Sequence, residues 1–283
     1  MILIADSGST KTTWLDVGSG NKMITEGLNP HFTTDETFHR VFSTVRDAFP
    51  LTASTIEVYF YGAGCGDERQ RSRVEQMLSS VFRPDSMAVE TDMLGACRAA
   101  SAGRESIVAI LGTGSNACYF DGTMILCQPT STGFVMGDNG SANHVGRILL
   151  NDYLTQRMPE AVRVMFHDDY PMSDTQFIDA VYHQPNANRF LASLAPFAVK
   201  YHEDDYCSQV LKLALYDWFH GPIDTLVQRT EYERGAINFV GGFAKAIEPM
   251  LRQFLADSPF DVGTVVADPI DELCNFHTRH NIV

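Results

Sequence analysis

Two short segments carry the residue types best suited to grip phosphate. The first is Asp6-Ser7-Gly8-Ser9-Thr10-Lys11-Thr12, directly after an apolar run. A tight turn of this composition presents consecutive backbone N–H groups to an anion. Gly8 permits a positive φ; Ser9, Thr10 and Thr12 add hydroxyl donors; Lys11 adds positive charge or points to solvent. Asp6 ends a buried strand, where it can hold Mg2+ through water, because Mg2+ takes a few carboxylates together with water and phosphate oxygens. The second segment, Gly112-Thr113-Gly114-Ser115-Asn116, has the same chemistry. Each alone also reads as a plain hairpin connection. Two of them, each after the first strand of a half, suit a nucleotide tail clamped between hairpins. GxxxxGK[ST] is missing from the sequence, which disfavours a P-loop, and Gly62-Ala63-Gly64-Cys65-Gly66 is not the GxGxxG of a dinucleotide fold.

Other residues could complete a reaction centre. Asp92 stands between a strand and a helix. It reads either as a helix N-cap or as a general base that takes a hydroxyl proton during phosphoryl transfer to an alcohol. Asp138, in Gly137-Asp138-Asn139-Gly140-Ser141, reads as a turn residue or as an acceptor for sugar hydroxyls. Val240-Gly241-Gly242-Phe243 links a strand to a helix, and its glycines let a flat ring lie on the backbone; a simple connection fits as well. His277 and His280 form HxxH without further ligands, which does not make a metal site.

These residues need elements to hold them. Residues 1–5, 12–17 and 22–27 read as strands in an antiparallel meander. Helical spacing runs through 35–49 and 68–82, with a strand at 56–61 between them. A short strand at 87–90 and a helix at 93–101 close the first part. Strands resume at 106–111, 116–120 and 123–127, followed by a glycine-rich stretch at 131–140. A long helical region, about 142–230, is expected to break at Pro159, Pro171, Pro185 and Pro222. Strand 236–240, helix 243–256, strand 262–267 and a terminal helix from Pro269 complete the chain. The echo of strand, turn and strand in both parts predicts two lobes, each a mixed sheet covered by helices, with the boundary near 102–105.

Composition bounds the rest. A chain of 283 residues, 45% hydrophobic and 20% charged, buries real cores and is not disordered. Its net charge of −14 disfavours nucleic acid and anionic membrane surfaces as partners. The opening MILIADSGSTKT lacks the basic and long apolar regions of a signal peptide, and no apolar run approaches the ~20 residues of a membrane span. Cys65, Cys97, Cys118, Cys127, Cys207 and Cys274 form no CxxC pair, so a reducing cytoplasm is the expected setting.

Taken in order, Asp6–Thr12, Thr91-Asp92, Leu111–Asn116, Met136–Ser141 and Val240–Gly242 resemble the N-acetylglucosamine kinase branch of the BadF/BadG/BcrA/BcrD-type ATPases, within the sugar kinase/Hsp70/actin superfamily. The likeness runs over nearly the whole chain. It implies an α/β fold of two ribonuclease-H-like (actin-like ATPase) lobes around a central cleft: residues 1–102, and residues 103–268 with a helical insertion at about 142–230. The terminal helix, 269–283, would pack back on the first lobe. It implies ATP and Mg2+, with Ser9, Thr10, Lys11, Thr12, Gly112, Thr113, Gly114 and Ser115 on the phosphates and Gly241 and Gly242 on adenosine. Asp92 would activate the sugar 6-hydroxyl, Asp6 would hold the metal through water, and Asn29, Gly64, Asn116 and Asp138 would bind the sugar.

The sequence also departs from that family pattern. Ser7 replaces the first Gly of the usual Asp-Gly-Gly-x-Thr, Ser131-Thr132-Gly133 stands where a Trp-Gly is common, and Asn139 replaces a Glu. Two alternatives stay open. One is an ATPase that drives a partner enzyme through a cysteine-held iron–sulfur cluster, although no closely spaced cysteine set is present. The other is a sugar or nucleotide sensor without turnover. The stretch 142–230 is expected to shape specificity or a dimer surface, so a homodimer is a further expectation.

Overall fold

The computed structural model of the protein describes residues 1–49 and 55–280. The chain divides into two units, Met1–Arg104 with Asp268–Val283, and Glu105–Ala267. In chain order the first unit holds β1 (Ile2–Ser7), β2 (Lys11–Asp16), β3 (Lys22–Glu26), α1 (Asp35–Ala48), β4 (Glu57–Gly62), α2 (Glu68–Phe82), β5 (Ser86–Thr91) and α3 (Asp92–Ala100). The second holds β6 (Ser106–Leu111), β7 (Ser115–Phe120), β8 (Ile125–Cys127), α4 (Gly133–Met136), α5 (Ala142–Leu154), α6 (Glu160–Asp169), α7 (Asp174–Tyr182), α8 (Ala187–Ala192), α9 (Ala195–Lys200), α10 (Asp205–Trp218), α11 (Asp224–Thr230), β9 (Gly235–Val240), α12 (Gly242–Ala246), α13 (Glu248–Leu255) and β10 (Phe260–Val266). Helix α14 (Ile270–His280) then returns to the first unit; residues 281–283 of the expected terminal helix lie outside the described residues.

The first sheet has the order β3-β2-β1-β4-β5. β1 is antiparallel to β2 and parallel to β4, and β4 is parallel to β5. Strand side chains alternate between faces, and here the alternation sorts two cores. Leu3, Ala5, Trp14, Val58 and Phe60 join Phe38, Phe42 and Val45 of α1 and Val74, Leu78 and Phe82 of α2. Ile4, Leu15 and Tyr61 join Ile270 and Leu273 of α14 on the other face. Trp14 anchors the larger core edge-on to Phe42, with ring centroids 5.7 Å apart; such a pair adds about 0.5–1.5 kcal/mol beyond its burial.

The second sheet runs β10-β9-β6-β7-β8. Its first strand again pairs antiparallel with the second and parallel with the fourth, so the echo read from two turns extends to the whole topology. Its helical stretch is a set of short helices from α5 to α11. Three of the expected breaks fall between helices or at a cap: Pro159 caps α6, and Pro171 and Pro185 lie in the links beyond α6 and α7. Pro222 does not break the chain. The helix runs from α10 through a π-helical turn, Phe219–Ile223, into α11. The wider π turn accommodates a residue that has no N–H to donate and a ring that crowds the preceding turn. The glycine-rich stretch contains α4, a single turn that lacks periodicity to betray it. Among the described residues no helix is long and apolar enough to cross a membrane.

Candidate functional site

In the first unit, the β1–β2 turn closes by a hydrogen bond from Gly8 N to Lys11 O of 3.0 Å, and Gly27 N donates to Thr10 O at 3.0 Å. Gly27 lies flat on the turn: a Cβ there would collide with the Gly8 carbonyl and with Ser9. Gly8 itself takes no positive φ, so the expectation of a left-handed glycine there is not met. Ser9 is half-buried and Thr10 and Lys11 are exposed, which leaves the tip of the turn outward.

Thr12 needs a correction. It is fully buried, its hydroxyl lies 2.8 Å from that of Ser7, and it donates to Glu26 O at 3.0 Å. Leu28 N in turn donates to Ser7 Oγ at 3.1 Å. Thr12 and Ser7 therefore tie β1, β2 and the exit of β3 together from inside, and the Thr12 hydroxyl does not face outward to a phosphate. Ser7 fits in place of the family's glycine because it is a strand residue with a use for its hydroxyl.

Lys11, half-exposed, is tethered at its end. Its Nζ lies 2.5 Å from Oδ2 of Asp268, which also accepts from Thr13 Oγ1 at 3.0 Å. Asp268 was not singled out in the sequence. Its only local sign is an Asp-Pro just ahead of a helical pattern, and its partner is distant in the chain.

Asp6 and Asp92 are both held above the ordinary carboxyl range. Burial pushes Asp6 up to about 7, reinforced by the negative charges of Asp268 and Asp92 and opposed by Lys11. Burial also pushes Asp92 up to about 6, against the pull of the Met93 and Asp92 backbone N–H groups. Asp268 shows the opposite balance: burial raises it, but hydrogen bonding and charge from Lys11 and the hydroxyl of Thr13 hold it below the ordinary value. The N-cap reading of Asp92 fails in detail. Thr91 caps α3, accepting from Leu94 N, and Asp92 is the first helical residue, accepting from Met93 N at 2.9 Å. Asp92 is thus relieved of capping, and its carboxylate sits at the positive end of a helix dipole.

A magnesium ion fits this donor set in one way only. Among the described residues no group of three or more His, Cys, Asp or Glu could cage a metal. Asp6 is a hard oxygen donor whose charge is held back by burial and by like charges, and a divalent cation would relieve both. Water and phosphate oxygens would have to fill the remaining positions, which is the usual habit of Mg2+.

Nearby in the same unit, Asn29 and Gly64 are brought together. Gly64 has φ +84°, and a Cβ there would strike the Asn29 carboxamide. Asn29 Oδ1 accepts from His31 N at 3.0 Å, which orients its amide.

The second unit builds its turn against a helix start. Gly112 N donates to Gly114 O at 2.9 Å, and the first N–H groups of α5, from Ala142 and Asn143, donate to the carbonyls of Gly112 and Thr113 at 3.0 and 3.1 Å. Asp138 clamps the same turn. Its Oδ1 accepts from Ser115 N at 3.2 Å and its Oδ2 from Asn143 Nδ2 at 2.8 Å. Asp138 takes φ 54°, a left-handed conformation that Asp tolerates. Gly114 must lack a side chain because that carboxylate stands where its Cβ would be. Ser115 Oγ donates to Asn139 O at 2.7 Å. Asn116 turns its own Oδ1 back to accept from Ala117 N at 2.9 Å. Behind the loop, Gly140 N donates to Nδ1 of His144 at 3.2 Å. Burial, then Arg147, lowers His144 to about 4 against the pull of Asp217, so the ring stays neutral and keeps that acceptor.

Gly241, at φ +126°, lies against the Leu111 carbonyl and Gly112 N, where no side chain would fit; a Cβ on Gly242 would meet open space. The structure therefore gathers Gly112–Ser115, Asp138 and Gly241 in the second unit, and Asp6, the first turn and Asp92 in the first.

The family model for BadF/BadG/BcrA/BcrD ATPases matches residues 5–272. The chain belongs to the BadF/BadG/BcrA/BcrD ATPase family. The structure is also similar to that of a candidate N-acetylglucosamine kinase from Porphyromonas gingivalis, with a TM-score of 0.92, 32% identity and 100% of both chains covered. A candidate N-acetylglucosamine kinase from Chromobacterium violaceum matches with a TM-score of 0.72 and 16% identity over 97% of this chain and 98% of that one. A ROK family glucokinase from Streptomyces griseus, solved with glucose and AMPPNP, matches with a TM-score of 0.55 and 13% identity over 98% of each chain. The last two share the fold with this family member. No curated protein matches the sequence.

Proposed function

We propose that this protein is an ATP-dependent sugar kinase that phosphorylates the 6-hydroxyl of an amino sugar, N-acetylglucosamine being the first candidate. The carrying observation is Asp92: a carboxyl at the first position of a helix, shifted by burial to about 6, close to the working pH expected of a general base. The likeness at 32% identity to a candidate N-acetylglucosamine kinase supports the choice of substrate.

In this reading Asp92 accepts the proton of the attacking hydroxyl and orients its oxygen for in-line displacement at the γ-phosphorus of ATP. The outward tip of the first turn, Ser9 to Lys11, and the second turn, Gly112 to Ser115, bind phosphate oxygens. The Thr12 hydroxyl holds the first turn in shape. Gly241 and Gly242 receive the adenosine, and Asn29, Gly64, Asn116 and Asp138 the sugar. Asp6 would hold Mg2+ through water, and the ion would supply neutralising charge between the phosphates when bound.

The test is ADP release with a panel of hexoses and N-acetylhexosamines, followed by identification of the phosphorylated position. Turnover confined to N-acetylglucosamine and its 6-phosphate as product supports the reading in full. ATP hydrolysis indifferent to every sugar in the panel sinks it.

A further inference from the structure

Tyr61 partners Asp6 in the parallel register of β1 and β4, so the two side chains leave the same face of the sheet. Tyr61 is 1% exposed, and two helices converge on its phenol. Arg98 of α3 donates from Nη1 to the phenol oxygen at 2.8 Å, and Nε2 of His277 on α14 lies 2.8 Å from the same atom. The Arg98 guanidinium also lies over the rings of Tyr61 and of Phe276 on α14, at 5.6 and 5.1 Å from their centroids. Tyr59 stacks on His277 at 3.8 Å. Arg98 has only protons to offer, so the phenol oxygen accepts from it, and the Tyr61 O–H can donate to His277 in the tautomer whose Nε2 carries no proton. Burial, foremost, raises the Tyr61 pKa and keeps the phenol a donor.

Helix α3 rests directly on this residue. A Cβ on Gly95 would lie 3.0 Å from Cβ, Cγ and Cδ1 of Tyr61, so the helix approaches as closely as a glycine allows. Gly95 is three positions after Asp92, on the same helical face. We propose that Tyr61 is a positioning residue for the reaction: its phenol joins α3 to α14 and thereby fixes the direction in which Asp92 presents its carboxylate. The catalytic half of this statement rests on the kinase reading; the mechanical half does not.

Tyr61→Phe keeps the ring against Gly95 and removes only the oxygen. The expected result is a kcat lower by about tenfold with the KM for ATP within about twofold of wild type, since misplacement of a reacting group acts on the chemical step. His277→Gln retains an acceptor and should stay close to wild type, whereas His277→Leu should behave like Tyr61→Phe. Hydrogen exchange of the apoprotein gives an independent reading: amides at the start of α3 exchange faster in Tyr61→Phe, while those of α5 do not change. Wild-type kcat in Tyr61→Phe, with or without a lower Tm, overturns the catalytic half, and unchanged exchange in α3 overturns the mechanical half. A wild-type protein that phosphorylates no sugar removes the kinase reading, and the exchange experiment then decides the mechanical half alone.

Discussion

Lys11 and Asp268 form an ion pair of 2.5 Å although 257 positions separate them in the chain. The contact joins the outward turn of the first sheet to the segment that begins the last helix. It also acts on Asp6, which is raised first by burial and then feels a negative charge from Asp268 and an opposing positive one from Lys11.

Replacing Asp268 by Asn should therefore lower the pKa of Asp6 from about 7 toward the ordinary carboxyl range. Carbon-detected NMR titration of the Asp6 carboxyl would report it. The pair is half-exposed, so its removal should cost stability of no more than about 1 kcal/mol. An unmoved Asp6 midpoint would show that the Asp268 charge does not act on it.

Asp92→Asn should reduce kcat by about 10²–10⁴, the range for loss of a general base, while ATP binding by calorimetry persists. In the wild type, kcat/KM should fall as pH drops below about 6, because Asp92 is then protonated and cannot take the hydroxyl proton. Near-normal turnover in the variant would remove Asp92 from the chemistry.

Asp6 gives a prediction about the apoprotein. Its carboxyl is raised on folding from 3.8 to about 7, so between those values the folded state binds more protons than the unfolded one. Stability from this group accordingly declines as pH rises through that window. Asp6→Asn should raise Tm at pH 8 by a few degrees and have little effect near pH 4. Added Mg2+ and ATP should stabilise the wild type more than the variant. A variant with lower Tm at pH 8 would contradict the account.

Thr12→Val tests the correction to the first turn. It keeps the shape of the side chain and leaves Ser7 and the Glu26 carbonyl short of a buried partner, a loss of about 1–3 kcal/mol. The KM for ATP should stay within about twofold of wild type, because uniform binding energy is not removed. A large rise in KM at unchanged stability would restore Thr12 to the phosphate contacts.

The architecture was legible because it rests on local patterns. The unbroken apolar run Leu3-Ile4-Ala5 marks a strand buried on both faces, and Phe38, Val41, Phe42 and Val45 mark a helix face. The two glycine-hydroxyl turns then give the repeat away. What stayed hidden depends on distant partners. Thr12 looks like Ser9 and Thr10 in the sequence, and only the strand register turns its hydroxyl inward. Asp268 and Tyr61 gain their meaning from Lys11, Arg98 and His277, which no local spacing brings together. Pro222 misled for another reason: its steric rule is sound, but the chain met it with a wider turn instead of a stop.

The first unit is built from two separate stretches, with the whole of the second inserted between them. On the ribosome, then, the order of synthesis is not the order of completion. Residues 1–104 are made before α14 and must wait for it, a delay of roughly ten to thirty seconds at ordinary elongation rates. The inserted unit can finish folding sooner, since it is continuous. A nonsense change ahead of α14 would accordingly damage the unit whose larger part was already made.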